Sequence, residues 1–191
     1  KYIIFKIYLN IMIINKKFYN PIQYDSRILL CVFRDENILL DHFINYYSNI
    51  GITHFILLNN DSQDESFQYL MNSKENIMLL STNLSYKEAN FGADWINYLL
   101  DKYCRDKWCI VVDVDELIYI DNINNLIYSM EKNNSNICNF LLLDMYSNTN
   151  RDYQKGESFL NHSYYFDKYN NYYNINTKGT IGHGIWGGVR N

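Results

Sequence analysis

The residues best suited to chemistry are two aspartates one position apart, Asp113 and Asp115, with Glu116 next. They directly follow the apolar run 108–112, which predicts a short, fully buried strand of the kind found in parallel sheets. Ligands of an open α/β sheet bind just beyond the carboxyl ends of its strands. Two carboxylates this close repel each other unless a cation lies between them. The pattern therefore predicts a divalent metal site, with Mg²⁺ or Mn²⁺ bridging to substrate phosphates; the alternative is a solvated loop in which an aspartate caps a helix.

The elements that position these aspartates alternate between strands and helices. Helical periodicity follows each of the first four apolar runs, and the strands are predicted at residues 28–33, 54–58, 76–81, 108–112 and 138–143. Alternation of this kind predicts an α/β fold with a mostly parallel central sheet and helices on both faces. We expect the strand at 108–112 to be central, because its side chains are apolar throughout.

The length and net charge of the chain limit the classes of protein to which it can belong. A chain of 191 residues favours one domain, and a net charge of −4 without a basic block disfavours nucleic-acid binding. Residues 2–14 are apolar but interrupted by Lys6 and Asn10, and a spanning helix needs about 20 apolar residues. A clipped anchor, an extra strand and a disordered leader are all compatible with this stretch. We favour a non-catalytic extension over residues 1–24, with possible peripheral membrane contact, and a catalytic domain over 25–191.

The four cysteines, at positions 31, 104, 109 and 138, match no zinc or redox spacing. Three of them fall in apolar, strand-like runs, where cysteine behaves as a small hydrophobic residue. We therefore expect reduced, structural cysteines and a cytoplasmic location.

The last quarter of the chain lacks periodicity. Residues 146–176 predict a long loop, which is either a functional lid or disordered. The glycines that follow form neither a dinucleotide-binding fingerprint nor a phosphate-binding P-loop after a strand.

Several segments together resemble the family 2 glycosyltransferases, which have the Rossmann-like glycosyltransferase-A fold. The general resemblance lies in residues 27–37 (RILLCVFRDEN), 46–55 (YYSNIGITHF) and 59–64 (NNDSQD). A bacterial subgroup is resembled more narrowly by residues 85–95 (SYKEANFGADW), the pair WC at 108–109 with DVDE at 113–116, LLLDMY at 141–146 and GGVR at 187–190. The resemblance covers about residues 25–191.

The resemblance implies a nucleotide-sugar donor, usually a UDP-sugar, and Mn²⁺ or Mg²⁺ held by the DXD motif. Asp113 and Asp115 would hold the metal against the diphosphate, with Asp115 the more direct ligand and His183 a possible further one. The implied donor-binding residues, which surround the base, ribose, diphosphate and donor sugar, are Arg34, Asp35, Glu36, Asn59, Asp61, Asp64, Lys87, Asp94 and Asp113. Asn59 stands where the family usually has an acid.

Elementary chemistry agrees with this implication. The diphosphate leaving group develops charge that a metal and a nearby Lys87 would neutralise. A carboxylate must also take the proton of the acceptor hydroxyl, on a carbohydrate or glycolipid. Asp144 ends the predicted fifth strand and is the candidate base, although it is equally an ordinary strand-end residue. The family often places the base in a later Glu-Asp pair, and none occurs after residue 145. Inversion at the sugar is the family expectation.

Three other functions fit parts of the pattern. A nucleotidyltransferase also uses paired aspartates, but it would show a glycine-rich loop where Arg34-Asp35-Glu36 stands. A phosphohydrolase places its Asp-x-Asp after the first strand, whereas here the pair follows the fourth. A catalytically incomplete fragment that binds sugars or partners is the third alternative.

Overall fold

The computed structural model describes residues 12–140, 142–148, 150–166, 171–177 and 180–186. The chain divides into two compact units, Lys1–Asn136 and Ile137–Asn191. The boundary expected at residue 24 and the single domain expected over 25–191 stay predictions.

A five-stranded sheet forms the centre of the first unit. Its strands are β1 (Ile13–Lys16), β2 (Arg27–Phe33), β3 (His54–Asn60), β4 (Ile77–Thr82) and β5 (Trp108–Val111), in the order β1-β4-β3-β2-β5. β2, β3, β4 and β5 run parallel, and β1 pairs with β4 in the antiparallel sense. The prediction of an α/β fold with a mostly parallel sheet is confirmed.

In the described part of this unit, four helices connect or follow the strands: α1 (Leu40–Asn49), α2 (Ser66–Asn72), α3 (Ala93–Tyr103) and α4 (Ile123–Lys132). The chain leaves α1 through Gly51, which has a φ of 106° that side-chain-bearing residues rarely adopt. A Cβ atom on Gly51 would lie 3.0 Å from Cγ2 of Ile123. α4 begins at the Asn122 cap, whose side chain accepts a hydrogen bond from the Asn124 N–H at 2.8 Å.

Side chains alternate along β2, β3 and β4 between two apolar clusters, one on each face of the sheet. The α1 face combines strand residues such as Leu29, Cys31 and Leu57 with side chains of α1, α2 and α4. The α3 face combines Ile28 and Leu30 with side chains of α3. The prediction of helices on both faces of the sheet is confirmed, and this coverage explains why these strands are apolar in nearly every position.

The expected central position of the strand at 108–112 is wrong. β5 lies at the edge of the sheet, its residues are only half-buried, and Val111 is 47% exposed. The strand expected to follow at 138–143 does not form in the described residues of that segment, which are irregular and largely exposed. β5 therefore has a described neighbour, β2, on one side alone.

The N-terminal stretch contributes β1 to the sheet through residues 13–16, so this part of the expected extension is an edge strand. Residues 1–11 of that extension lie outside the described residues, and the predicted membrane contact stays a prediction. Within the described ranges, no helix is both long enough and apolar enough to cross a bilayer.

The second unit contains a short helix, α5 (Phe159–His162), and an antiparallel hairpin of β6 (Asn171–Thr177) and β7 (Thr180–Trp186). A backbone bridge also joins Tyr146 to Tyr165. The expectation that residues 146–176 hold no regular structure is therefore wrong for the described part of that segment. Its residues lack helical or alternating periodicity because the described side chains of this unit are mostly exposed.

Candidate functional site

The carboxyl ends of the four parallel strands lie along one edge of the sheet in the first unit. In register, Phe33 of β2 is opposite Asn59 of β3, and the Val112 N–H donates to the Leu30 carbonyl at 3.3 Å. The loops that follow β2, β3 and β5 consequently begin side by side. Most of the site residues predicted from the sequence lie in these loops.

Backbone-to-side-chain hydrogen bonds join the loop after β2 to the loop after β3. The Asp35 carboxylate accepts from the Gln63 N–H at 2.6 Å and from the Asp64 N–H at 3.3 Å. In the opposite direction, the Asp64 carboxylate accepts from the Asn37 N–H at 2.9 Å. Asp35 has a φ of 56°, an uncommon conformation that these bonds hold in place. These hydrogen bonds therefore hold the two loops together.

Two serine hydroxyls add further hydrogen bonds between these segments. The Ser62 hydroxyl accepts from the Asp35 N–H at 3.0 Å, and the fully buried Ser66 hydroxyl accepts from the Glu36 N–H at 2.9 Å. The Asp64 carboxylate also accepts from the Ser66 N–H at 2.9 Å. Partial burial opposes ionisation of Asp64, but these hydrogen bonds outweigh it and lower the pKa of the carboxyl.

Glu36 is the half-buried carboxylate at the centre of the acidic edge. Burial raises its pKa first, and repulsion by Asp115, Asp64, Asp113 and Asp35 raises it further, in that order. The influence of Asp115 and Asp113 shows that the loop after β5 brings its charges close to the loop after β2. Two separate loops therefore contribute carboxylates to one electrostatic site.

The loop after β5 is a tight turn anchored in the core. Val114 is buried in the α1-face cluster, and it separates the two exposed aspartates, Asp113 and Asp115. The Asp113 N–H donates to the Glu116 carboxylate at 3.1 Å, and the Glu116 N–H donates to the Asp113 carbonyl at 3.1 Å. The fully buried Tyr47 hydroxyl donates to the Glu116 carbonyl at 2.9 Å. These hydrogen bonds hold the turn in one conformation and tie it to the core.

In this turn, neighbouring carboxylates also disfavour ionisation of Asp113. Partial burial raises the pKa of Asp113, and repulsion by Glu116 and Asp115 adds to the shift. The ionised forms of Asp113 and Glu36 are thus both disfavoured by their surroundings. A cation placed between them would reverse the electrostatic cost, because an opposite charge favours ionisation.

The donor atoms suit Mg²⁺ or Mn²⁺ but do not complete a site. Carboxylate oxygens are the ligands these ions prefer, and Mg²⁺ usually takes one or two of them together with water and phosphate oxygens. Among the described residues, no group of three or more His, Cys, Asp or Glu side chains is arranged to hold a metal alone. The carboxylates of Asp113 and Asp115 fit a metal that also binds a phosphate-bearing ligand.

The loop after β4 begins at the same edge. The buried Asn60 of β3 fixes it by donating to the Thr82 and Leu84 carbonyls at 3.3 and 3.0 Å. Lys87 is exposed on this loop, and Asp94 lies in the first turn of α3. Lys87 and Asp94 follow β4, whose carboxyl end lies at the same edge of the sheet as that of β5. β3 and β2 lie between β4 and β5, so these two residues follow a strand that is not adjacent to the strand before Asp113.

Three further sequence candidates have other positions. Asn59 is buried, and its side chain accepts from the Ser62 N–H at 3.1 Å, so it shapes the turn that holds Asp61. Asp144 is an exposed residue of the second unit, and His183 lies in β7, of which only the backbone is described. Donor contact by Asn59, base catalysis by Asp144 and metal ligation by His183 stay predictions.

Sequence reasoning did not single out the residues that hold the site together. Glu116 was visible as the acid beside the aspartate pair, but its bond to the Asp113 N–H depends on the turn. Ser62 and Ser66 carried no distinguishing signal beyond their place in a polar turn. Their role arises from the neighbouring loop, which is distant in sequence.

No protein-family model matches the chain, and no curated protein matches it.

Proposed function

We propose that the chain is a metal-dependent glycosyltransferase with a glycosyltransferase-A fold. It would move a sugar from a nucleotide-sugar donor, with a UDP-sugar as the favoured class, to a carbohydrate or glycolipid acceptor with inversion. Mn²⁺ or Mg²⁺ would be the cofactor. The sequence resemblance, the parallel sheet and the acidic edge all support this proposal.

One observation carries the proposal: at the edge where α/β sheets bind ligands, Asp115 and Asp113 of the loop after β5 add to burial in disfavouring ionisation of Glu36, which lies in the loop after β2. A purely structural loop gains nothing from repulsion between Glu36, Asp113 and Asp115. A divalent cation and a diphosphate together supply the positive charge and the missing oxygen ligands. Perturbed carboxylates at a strand edge are therefore characteristic of a functional site.

The residues have distinct roles in the proposed reaction. Asp113 and Asp115 would hold the metal, which when bound would stabilise the charge that develops on the diphosphate. Asp35 and Asp64 already accept backbone N–H groups, so they would keep the two loops in place while leaving the base and ribose to backbone and exposed groups. Lys87, exposed on its loop, would approach the phosphates as a further cation.

A binding experiment tests the proposal. UDP-glucose, UDP-N-acetylglucosamine and GDP-mannose are titrated into the protein by calorimetry, with and without Mn²⁺. We expect at least one donor to bind in the presence of Mn²⁺ and to lose most of its affinity without it. Asp115→Asn should reduce Mn²⁺-dependent binding about tenfold or more, because it removes one charge from the metal site.

Asp121→Asn is the matched control, since Asp121 is an exposed aspartate in the same unit just before α4. It should bind donor as the wild type does. Equal loss of affinity in both variants would indicate a general effect of charge and contradict the metal assignment. Binding that is insensitive to Mn²⁺ in the wild type would contradict the proposed function itself.

A further inference from the structure

Cys104 and Cys109 lie on the same face of the sheet, although neither was expected to do chemistry. Cys104 follows the last residue of α3 and is buried in the α3-face cluster. Cys109 is the second residue of β5 and packs against that same cluster. Its neighbours Trp108 and Ile110 pack against the opposite, α1-face cluster, as alternation along a strand requires. The Cys109 side chain is therefore directed towards Cys104.

A tight turn joins the end of α3 to the start of β5. The Cys104 N–H still donates to the Leu100 carbonyl at 3.0 Å, which keeps the residue on the helix end. The Lys107 N–H then donates to the Cys104 carbonyl at 3.1 Å, with Asp106 in the left-handed conformation at a φ of 57°. A turn of this type holds its first and fourth Cα atoms within about 7 Å. β5 begins at the next residue, so Cys109 follows immediately.

The two thiols interact with each other. A hydrogen bond that the Cys104 thiol donates to the Cys109 sulfur is the main cause of a raised pKa at Cys104, and burial adds to it. The same hydrogen bond lowers the pKa of Cys109, against the effect of burial. The more accessible thiol is thus the one whose thiolate is stabilised. Because the thiolate is the nucleophile in sulfur exchange, the pair has one attacking and one resolving partner.

We propose that Cys104 and Cys109 form a dithiol site that a low-molecular-weight disulfide oxidises to an intramolecular disulfide. The Cys109 thiolate attacks one sulfur of the small disulfide, whose S–S bond breaks and releases one small thiolate. Cys104 then loses its proton and attacks the Cys109 sulfur of the mixed disulfide, which releases the second small thiol. Two electrons pass from the protein to the small disulfide, so the protein is oxidised and two small thiols are formed.

The disulfide would link the end of α3 to the edge strand that leads to Asp113. This dithiol site is independent of the proposed glycosyl transfer, because it uses neither the acidic edge nor a donor. Cys31 and Cys138 provide internal comparisons. Cys31 is fully buried on the other face, and Cys138 is exposed in the second unit.

The test uses the whole chain and glutathione disulfide as the probe. The protein is incubated with glutathione disulfide, remaining thiols are alkylated under denaturing conditions, and the chain is digested with trypsin and analysed by mass spectrometry. Arg105 and Lys107 lie between the two cysteines, so cleavage places Cys104 and Cys109 on separate peptides. We expect these two peptides to be joined by a disulfide that a reductant cleaves, while Cys31 is recovered alkylated.

Variants separate the two roles. Cys104→Ser lacks the resolving thiol and should accumulate glutathione on Cys109, whereas wild type should not. Cys109→Ser should react with glutathione disulfide at position 104 about tenfold more slowly than wild type reacts at position 109, because a buried thiol is inert. Cys138→Ser removes an exposed cysteine outside the pair and should form the linked peptides as wild type does.

Wild-type protein that carries a stable glutathione adduct on Cys109, without linked peptides, would overturn the proposal. So would the recovery of both alkylated peptides under conditions in which Cys138 is modified. Because both outcomes are measured on the unaltered chain, the conclusion does not depend on whether a variant folds.

Discussion

Neutralising Glu36 should stabilise the ligand-free protein and weaken its response to metal and nucleotide. Glu36 is half-buried, and its pKa is raised by burial and by four neighbouring carboxylates. A raised pKa in the folded state means that the folded protein holds this proton more tightly than the unfolded chain does. Stability contributed by Glu36 is therefore present at low pH and is lost as pH rises through its folded pKa. At neutral pH the ionised side chain is a net cost, which Glu36→Gln removes.

The size of the effect is modest because water screens a half-exposed group. An interaction between partly exposed charges is worth about 0.5–1 kcal/mol once water and salt screen it. For a chain of this length, 1 kcal/mol corresponds to about 2–4 °C in Tm. We therefore expect Glu36→Gln to raise the Tm by about 1–4 °C at neutral pH and to have little effect below the ordinary pKa of glutamate.

Differential scanning fluorimetry between about pH 4 and pH 8 measures this difference, since the carboxyl groups titrate at the lower end of that range. Glu88→Gln is the matched control, because Glu88 is an exposed glutamate on the loop after β4. It should leave the Tm nearly unchanged at each pH. In the presence of Mn²⁺ and UDP, the wild type should gain more stability than Glu36→Gln, since the variant offers the cation less negative charge. A Tm that falls at neutral pH in Glu36→Gln would refute the electrostatic reasoning.

Two further substitutions test the scaffold of the site by urea unfolding. Gly51→Ala should lower the free energy of unfolding by about 1–2 kcal/mol, because the alanine would have to adopt a φ of 106° and its Cβ would lie 3.0 Å from Cγ2 of Ile123. An unchanged urea midpoint would show that α1 can end in another conformation. Tyr47→Phe should cost about 1–2 kcal/mol, since it leaves the Glu116 carbonyl and the Ile118 N–H without the hydroxyl that bonds both, at 2.9 and 3.2 Å. It should also weaken Mn²⁺-dependent binding, and a stability loss without that effect would show that the turn holds its shape unaided.

The sequence was sufficient for the central strands and for the acidic edge. β2, β3 and β4 are apolar throughout because helices cover both faces of the sheet, and such runs are visible without a structure. Carboxyl ends of parallel strands meet at one edge, so the alternation of elements was enough to predict Asp113 and Glu36 at the same edge. The electrostatic influence of Asp113 on Glu36 agrees with that expectation.

Only the tertiary structure shows the hydrogen-bond partners of individual polar groups. Asp35 and Asp64 are predicted to face a ligand, and their carboxylates also accept backbone N–H groups from each other's loops. Composition does not distinguish a ligand-binding aspartate from one that braces a turn, because both occur in exposed polar loops. The difference arises from the partner, which here lies more than 25 residues away in sequence.

Strand order and thiol pairing were also beyond the sequence. Apolar content suggested a central strand at 108–112, yet β5 lies at the edge, because periodicity reports which side chains are apolar and says nothing about which strands are neighbours. Cys104 and Cys109 fit no redox spacing, and they meet because a helix end, a turn at Asp106 and the alternation of β5 direct both side chains to one face. Local pattern determines the type of each element, whereas contacts between distant segments determine the order of the strands and the partners of each side chain.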